Sequence, residues 1–509
     1  MRPDIKKIFL SAAAGILCFF AFPPFDLSIL AWFCLVPLLM VIKDSKPREA
    51  FLYSYLAGVV YFGCLFYWMP QVSVPGAIAL VLIMAAYYGL FGSVAGIVLK
   101  YSMDILLLPF AWVVLEYLRS HVFTGFPWGI LGYSQYRNIN LIQIADFTGV
   151  YGVSFVLVAF NAAVFAALAR SKRKIMYMMI ALMFIILSTS YGRYRLDNMS
   201  ARGTARVSVV QGNIPQGLKW DTRYAKDILG TYADLTRRAA EDKPDLIIWP
   251  ETAYPYLVGR GDDPAEEISS LAKELGVPIL AGVIYSPGDG YYNSAVLFSG
   301  GKGFERKYDK LHLVPWGEYV PFGGYASFLR DHIDKPIGDF RRGSGYTLFP
   351  LRSMQYDNIR ADGALVRQIN MYKFGALICY EDIFPYIARG FVKKGADMLV
   401  NMTNDAWFGD TGAPRQHMQA SVFRAVENRV PVVRAANTGV SCFIGPTGKI
   451  VSTLEVDGKD VWVSGYDTAK VDISAARSRY TVYGDLFVYL SGFILALLFI
   501  MEHFMLRSR

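Results

Sequence analysis

Three segments of the chain carry groups that could together transfer an acyl group. The run "DLIIWPET" contains Glu251 near its end, "RKYDKLHLVPWGEY" contains Lys310, and "FGALICYED" contains Cys379. Reactive groups of α/β sheets collect where strands end and loops begin, and Glu251 and Cys379 both follow apolar, strand-like runs. A thiol nucleophile, a carboxylate base and a cation that stabilises an oxyanion are the groups that acyl transfer through a thioester needs.

Each of these residues also has a plainer interpretation when it is taken alone. A lone cysteine in a strand is usually a small buried hydrophobe. Glu251 could be an ordinary loop or helix-terminal carboxylate. Lys310 could be a solvated surface lysine, with Lys307 as its rival in the same charged run. These alternatives stay open until other parts of the chain are considered.

The region that carries the three residues is predicted to be a layered α/β domain. From residue 204 onward, short apolar strands alternate with amphipathic helical segments, which is the pattern of such a domain. Helices are predicted near 222–241, 264–275, 384–394 and 414–428. Strands are predicted in "ARVSVVQGNI", "DLIIWPET", "VPILAGVIY", "SAVLFSG", "FGALICYED", "DMLVNMTND", "VPVVRAAN" and "SCFIGPTGKIV".

The rest of the chain is predicted to lie in a membrane. Of 509 residues, 54% are hydrophobic and 18% charged, whereas a soluble domain has roughly 25% charged residues. A helix needs about 20 mostly apolar residues to cross a bilayer. Apolar runs predict eight spans, near 8–23, 27–42, 51–69, 76–99, 104–118, 148–169, 175–191 and 484–504.

Lys and Arg in the short loops predict the orientation of these spans. With eight crossings the basic clusters fall on one side, which is then cytoplasmic, and Arg119 and Arg137 are the exceptions. The predicted organisation is a membrane domain at 1–191 with seven spans, an extracytoplasmic catalytic domain at 192–483, and an eighth span with a cytoplasmic tail at 484–509. The net charge of +9 then needs no nucleic-acid partner.

The remaining cysteines and histidines suggest no stronger site. Three of the five cysteines fall inside predicted spans, and a Cys379–Cys442 disulfide is a minority alternative for the other two. His312 and His417 could suggest a Cys–His pair, but no Asn or Asp lies in a motif that would orient it, so both are expected to be structural or to face the substrate. No His/Cys/Asp cluster has the spacing of metal ligands, so we expect no metal and no cofactor.

Five motifs in order give the chain a specific resemblance. They are "GFPWGILGYSQ" (125–135), "WPETA", "DKLHLVPWGEYVPF", "ICYED" and "NDAWFGD" (404–410). The Glu–Lys–Cys set resembles that of the nitrilase superfamily. The motifs and the order of spans together resemble the bacterial apolipoprotein N-acyltransferase family over nearly the whole chain. The resemblance implies a polytopic α-helical membrane domain joined to an extracytoplasmic nitrilase-like α/β domain, an αββα sandwich.

The resemblance also implies an activity and a location. The family transfers a fatty acyl group from a membrane phospholipid, typically phosphatidylethanolamine, to the α-amino group of the diacylglyceryl-modified N-terminal cysteine of an apolipoprotein. This is the last step of lipoprotein maturation, and it takes place at the outer, periplasmic face of the bacterial cytoplasmic (inner) membrane. By motif match, Cys379 is the nucleophile that carries the acyl thioester in a ping-pong mechanism. Glu251 is the proton acceptor and Lys310 stabilises the oxyanion.

Five further residues match the family's motifs. Glu318, Glu381 and Tyr380 match positions with supporting roles, although structural hydrogen bonding is as good an interpretation for the two carboxylates. Trp220 and Trp407 match aromatic positions near the entrance to the active site and are expected to bind substrate. Either tryptophan could instead simply pack against its neighbours.

The chemistry leads to two expectations about charge. Partial burial should raise the pKa of Glu251, and the ammonium of Lys310 should lower the pKa of Cys379. Three carboxylates, Glu251, Glu318 and Glu381, beside one lysine cannot all ionise cheaply. At least one of them should therefore be protonated or bound by a hydrogen-bond donor elsewhere.

Two other functions remain as alternatives. A membrane-tethered amidase would use the same three residues with water as the acceptor. A transporter or receptor would use the outer domain only to bind a ligand, and its spans should then carry buried ionisable residues along a path. Few such residues are found, Glu116 being the main one, which argues against transport.

Overall fold

The structure is a computed structural model that forms two compact units. The first contains Met1–Asn198, Thr411–Gln419 and Ser478–Arg509, and the second contains Met199–Asp410 and Ala420–Arg477. Side chains are described except at 354–368 and 502–507. The residues whose structure is described are 4–100, 104–219, 221–259, 265–288, 290–301, 303–319, 340–359 and 365–507.

The described residues form fifteen α-helices, most of them in the first unit. In chain order they are α1 (Ile5–Phe20), α2 (Val36–Lys43), α3 (Pro47–Leu65), α4 (Val74–Lys100), α5 (Leu107–His121), α6 (Ile139–Ile142), α7 (Ala145–Thr148), α8 (Val150–Leu168), α9 (Lys174–Asp197), α10 (Ala225–Ala240), α11 (Glu266–Leu275), α12 (Pro385–Lys393), α13 (Ala413–Asn428), α14 (Arg479–Tyr483) and α15 (Leu486–Arg507).

The apolar helices of the first unit occur where spans were predicted. In the described part of the chain, α4, α8 and α9 are long and apolar enough to cross a membrane. Helices α1, α3, α5 and α15 also coincide with predicted spans. Three helices are therefore candidates for crossing by length and composition, and the full count of eight crossings stays a prediction.

The second predicted span is not a continuous helix. A 3-10 segment at Ser28–Trp32 is followed by α2, whose first turn contains Pro37. Proline has no N–H to donate within a helix, so the chain breaks before it. The side chain of Asn161 forms hydrogen bonds with backbone groups at this break. It accepts from the N–H of Leu35 at 2.9 Å and donates to the carbonyl of Ala31 at 2.9 Å.

The ionisable residues at the end of α5 are held inside the first unit. Arg119 donates to the carbonyl oxygen of Trp128 at 2.6 Å, and Glu116 accepts from the N–H of Leu131 at 2.8 Å. Arg137 pairs with Asp26 at 3.0 Å. Glu116 therefore fixes the loop that carries "GFPWGILGYSQ" rather than extending a chain of polar groups, which further weakens the transporter alternative.

The first unit also includes the first turns of α13. The side-chain oxygen of Gln416 accepts from the indole N–H groups of Trp68 at 3.2 Å and Trp128 at 3.0 Å. The amide nitrogen of Gln416 donates to the carbonyl of Pro23 at 2.9 Å. His417 stacks on Trp128, with ring centroids 5.3 Å apart. His417 therefore packs in the first unit, as expected of a structural histidine.

The second unit contains two β-sheets. Its described strands, in chain order, are β1 (Ala201–Gln211), β2 (Leu246–Ile248), β3 (Leu257–Val258), β4 (Ile279–Tyr285), β5 (Tyr292–Phe298), β6 (Arg306–Asp309), β7 (Leu348–Ile359), β8 (Leu365–Ile378), β9 (Met398–Thr403), β10 (Val432–Ala436), β11 (Cys442–Ile444), β12 (Ile450–Thr453) and β13 (Gly465–Ser474).

The sheets and helices of the second unit stack in four layers. One sheet has the order β13-β1-β2-β4-β5-β6, with β3 beside β4, and the other has the order β12-β11-β10-β9-β8-β7. Helices α10 and α11 pack on the first sheet, and α12 packs on the second. The sheets contact each other through β1 with β10 and β5 with β8. This helix–sheet–sheet–helix order is the predicted αββα arrangement.

The free ends of the parallel strands create the site. β1, β2 and β4 run parallel, as do β8, β9 and β10, so each sheet has an edge where carboxyl ends of strands lie together. All five cysteines are free, so the Cys379–Cys442 disulfide is not formed.

Candidate active site

Cys379 lies directly after β8 in a strained backbone conformation. Its φ is +53°, in the left-handed region that a non-glycine residue rarely adopts. The side-chain amide of Asn401, on β9, donates to the carbonyl oxygen of Cys379 at 2.9 Å. Arg434, on β10, donates to the other end of the Asn401 amide at 2.7 Å and pairs with Asp405 at 2.9 Å. This buried network holds the turn in the conformation that lifts the thiol out of the strand.

Glu251 follows β2 on a loop anchored by a buried tryptophan. Trp249 stacks on Tyr232, with ring centroids 5.0 Å apart, and its indole N–H donates to Thr236 at 2.8 Å. Gly282, on β4, lies so close that a Cβ there would be 2.7 Å from the Cα of Glu251. Only a glycine lets the strand approach the loop this closely, which fixes where the carboxylate can lie.

Lys310 follows β6 and lies between two carboxylates. Its Nζ is 3.6 Å from Oε1 of Glu251 and 3.0 Å from Oε2 of Glu318. The amide of Asn293, on β5, donates to Glu251 at 2.8 Å and to Glu318 at 2.8 Å. Glu318 also accepts from the N–H of Val314 at 2.8 Å. The lysine and the asparagine therefore bridge the two carboxylates in one buried cluster.

The surroundings of Cys379 raise the pKa of its thiol. Burial and the carboxylate of Glu251 raise it, and Lys310 lowers it as expected but offsets only part of the rise. The net pKa is therefore above its ordinary value, because desolvation of a thiolate outweighs one nearby cation. Burial alone would lower the pKa of Lys310, but Glu318 and Glu251 raise it well above its ordinary value. Lys310 is therefore charged and Cys379 is a thiol until a base acts.

Glu381 is the carboxylate that is engaged elsewhere. Oε1 accepts from the hydroxyl of Tyr308 at 2.8 Å and from the N–H of Leu311 at 2.6 Å, and Oε2 accepts from the N–H of Ile378 at 2.7 Å. The crowding of carboxylates predicted such an arrangement. The side chain ties β6, the loop after it and β8 together, so Glu381 supports the turn that carries Cys379.

Replacing Glu381 with glutamine should change how stability depends on pH. Burial raises the pKa of Glu381 from 4.5 to about 7, so the folded protein binds this proton more tightly than the unfolded chain. The contribution is complete below about pH 4.5 and is lost as pH rises to about 7. The Tm of the wild type minus that of Glu381→Gln should fall by a few degrees across this range. Exposed Glu305→Gln is the control, and parallel curves for wild type and Glu381→Gln would contradict the assignment.

Lys219 lies in this site although no motif of the sequence predicts it there. Its Nζ donates to the backbone carbonyl oxygen of Glu251 at 2.9 Å, and the side chain is 1% exposed. Burial lowers its pKa to about 8, while Glu251 and Cys379 favour its charged form. A loop lysine in "QGLKWD" is indistinguishable by pattern from a solvated one. Its position beside Trp220 was the one available signal.

The other predicted residues take more varied positions. Tyr380 packs edge-on against Phe384, with ring centroids 5.0 Å apart, beside the nucleophile turn. Trp407 is half-buried in a 3-10 segment, Asp405–Phe408. Trp220 lies outside the described residues. His312 stacks on Phe384 at 3.9 Å, which agrees with a structural role.

Lys307 does not share the position of Lys310. Its ammonium pairs with Asp309 and lies over the ring of Tyr285, 4.3 Å from the centroid. Lys310 contacts both Glu251 and Glu318, so the structure distinguishes the two lysines of the charged run.

Comparison with known proteins supports the arrangement of two parts. The family model "Apolipoprotein N-acyltransferase N-terminal domain" matches residues 14–163, and the model "Carbon-nitrogen hydrolase" matches residues 206–478. The second match contains Glu251, Lys310 and Cys379, and it assigns the α/β unit to the nitrilase-like fold.

Full-length relatives agree with both matches. Apolipoprotein N-acyltransferase of Geobacter metallireducens is 34% identical over 96% of this chain and 94% of its own. That of Methylococcus capsulatus is 32% identical over 94% of this chain and 93% of its own. The solved structure of Saccharomyces cerevisiae Nit3, a member of the nitrilase superfamily, is 19% identical and covers 54% of this chain and 91% of that one, but its TM-score of 0.38 is too low to support a conclusion. On the two family models and the full-length relatives, the chain belongs to the apolipoprotein N-acyltransferase family and is an acyltransferase.

Proposed function

We propose that the protein transfers a fatty acyl group from a membrane phospholipid, with phosphatidylethanolamine the expected donor, to the α-amino group of a diacylglyceryl-modified apolipoprotein. The family membership supports the acceptor. The observation that supports the mechanism most strongly is the convergence of Glu251, Lys310 and Cys379 on one buried site of the second unit. Lys310 contacts the Glu251 carboxylate at 3.6 Å, and both groups act on the Cys379 thiol.

In the first half-reaction Cys379 attacks the ester carbonyl of the phospholipid. Glu251 accepts the thiol proton as the new carbon–sulfur bond forms, so the net charge of the site does not change. The ammonium of Lys310 and a backbone N–H of the turn after Cys379 stabilise the tetrahedral oxyanion. When the ester carbon–oxygen bond breaks, Glu251 returns the proton to the leaving oxygen of the lysophospholipid. The enzyme is left as an acyl thioester on Cys379.

In the second half-reaction the acceptor amine attacks the thioester carbonyl. Glu251 removes a proton from the amine, and Lys310 again stabilises the oxyanion. The carbon–sulfur bond breaks, an amide forms, and the proton returns to the Cys379 sulfur. Two substrates use one nucleophile in turn, so the kinetics should be ping-pong.

The membrane part serves substrates that are themselves lipids. We place the protein in the cytoplasmic membrane of a bacterium with eight crossings, because basic residues collect in loops on one predicted side. The second unit then lies on the outer side, where Glu251, Lys310 and Cys379 would meet donor and acceptor. Apolar helices before and after that unit in the chain, among them α9 and α15, support a tether at both of its ends.

Product analysis should separate acyl transfer from amide hydrolysis. The purified protein in phosphatidylethanolamine vesicles, given a synthetic diacylglyceryl-cysteine peptide, is expected to yield N-acylated peptide and lysophospholipid in a 1:1 ratio. Mass spectrometry of both products tests this. Release of free fatty acid or of ammonia from small amides, without N-acylated peptide, would favour the amidase alternative.

A further inference from the structure

Lys219 is a buried ammonium group that the proposed mechanism does not use. It lies in the loop after β1, eight positions beyond Gln211, and its side chain is 1% exposed. Lysine is rarely buried this completely unless its charge is paired or hydrogen-bonded. Within the described part of the chain it donates one hydrogen bond, 2.9 Å to the backbone carbonyl of Glu251, which is a neutral oxygen. The nearby Glu251 carboxylate and Cys379 thiol group therefore explain why a charged lysine can be buried here.

The hydrogen bond fixes the main chain of the proposed base. Asn293 and Lys310 hold the Glu251 side chain, at 2.8 Å and 3.6 Å, whereas Lys219 holds its backbone. The close approach of Gly282 supports the same loop from β4. Glu251 is thus constrained at both ends, which is what a base needs if its oxygen is to meet the thiol proton at a defined distance.

The charge of Lys219 makes the site less negative. Glu251 and Glu318 face Lys310 alone if Lys219 is left out. Asp405, which also acts on Cys379, pairs with Arg434 at 2.9 Å, but Arg434 is shared with Asp382 at 3.1 Å. Carboxylates therefore outnumber cations around the thiol, and Lys219 offsets part of that excess. A thiolate costs less to form in a less negative cluster.

The coupling between Lys219 and Cys379 must be mutual. Both the Cys379 thiolate and the Glu251 carboxylate favour the charged form of Lys219. By linkage, charged Lys219 favours a negative charge on either partner by the same free energy. The negative charge moves from Glu251 to Cys379 when the proton is transferred, and Lys219 stabilises it at both places.

We propose that Lys219 is a positioning residue for acyl transfer, which fixes the main chain of Glu251 and lowers the free energy of the Cys379 thiolate through its positive charge. The proposal rests on Cys379 being the nucleophile of the proposed function. Lys219 complements Lys310, because Lys310 stabilises the substrate oxyanion whereas Lys219 acts on the enzyme's own base and thiol.

Alkylation of Cys379 across a pH series tests the charge of Lys219 without any lipid substrate. Iodoacetamide labelling, read at the Cys379 peptide by mass spectrometry, reports the thiolate fraction. Lys219→Gln keeps a hydrogen-bond donor but loses the charge. It should slow labelling about tenfold at about pH 7, where Lys219 is charged in the wild type, and the difference should shrink above about pH 8, where the wild-type lysine becomes neutral. Lys219→Arg keeps the charge and should remain within about threefold of wild type. Exposed Lys226→Gln is the matched control and should match the wild type.

Two results would overturn the proposal. One is a Lys219→Gln labelling profile that superimposes on that of the wild type. The other is equal slowing by Lys219→Gln and Lys219→Arg with an equal fall in Tm, which would assign Lys219 to packing alone. Incubation of the wild type with phospholipid tests the proposed function separately from the role of Lys219. If no acyl group is found on Cys379 while the profiles still differ as expected, the proposed function fails and the electrostatic role of Lys219 stands.

Discussion

Replacing Cys379 with alanine is expected to lower the rate of N-acyl transfer by about 10⁴-fold or more, because no other group in the site can carry the acyl chain. Alanine and cysteine both have a Cβ, so the strain of the backbone at φ +53° should be similar in the two proteins. The measurement is the initial rate of N-acylated peptide formation in phospholipid vesicles, together with the Tm of the purified variant.

Cys442→Ala is the matched control for this experiment. Cys442 lies on β11 in the same unit and is fully buried, and burial raises the pKa of its thiol to about 12, so it remains a thiol at neutral pH. Its removal should cost some stability through a small cavity but leave the turnover rate near that of the wild type. If Cys379→Ala retained transfer activity while folded, a direct attack on the phospholipid by the amine would have to replace the thioester route.

Replacing Lys310 with methionine should lower kcat by about 10²–10³-fold, the usual cost of removing one oxyanion donor. The effect should fall mainly on kcat rather than on KM, because the lysine is needed most when the oxyanion forms. Glu251 and Glu318 also lose the cation that lies between them, so the carboxylates of the site would have to repack in this variant. Steady-state kinetics with varied peptide concentration, with Tm measured in parallel, tests the prediction.

Lys307→Met controls for the loss of a lysine from the same short run. Lys307 pairs with Asp309 and packs over Tyr285, and it contacts neither Glu251 nor Glu318 among the described contacts. The control should therefore retain most of its activity. Equal loss of activity in the two variants would mean that the charged run as a whole, and not Lys310, supports catalysis.

The strands just before Glu251 and Cys379 could be predicted from the sequence. β2 ends at Ile248 and β8 ends at Ile378, and both follow from local apolar runs, because a buried strand must stop where the chain becomes polar. Lys310 is predicted only to lie in a loop. The short strand β6, which ends at Asp309 just before Lys310, has no apolar run that would predict it. The four predicted helices of the α/β region likewise correspond to α10, α11, α12 and α13 within a few residues.

What escaped prediction depends on contacts between distant parts of the chain. The bond from Lys219 to Glu251 joins residues 32 apart, and the bond between Arg434 and Asn401 joins residues 33 apart. Neither lysine nor arginine shows its burial in the local pattern, since both are usually solvated. The pKa of Cys379 escaped for the same reason. Its desolvation is set by residues that the fold assembles around it.

The second predicted span shows that hydropathy can also predict too much regular structure. Its composition is apolar throughout, and hydropathy alone predicts one continuous helix. The break before α2 depends on Pro37 and on Asn161, which lies on α8 and completes the hydrogen bonds of the broken segment. A single proline in an apolar run predicts a break only when its polar partner is known.

The acyl thioester on Cys379 can be sought directly by intact-mass analysis of protein purified from membranes and incubated with phosphatidylethanolamine but no acceptor. We expect a mass increase of one fatty acyl group, located on the Cys379 peptide, released by hydroxylamine or by the acceptor peptide, and absent from Cys379→Ser. Protein that transfers acyl groups to the peptide while Cys379 stays unmodified at every time point would contradict the thioester mechanism.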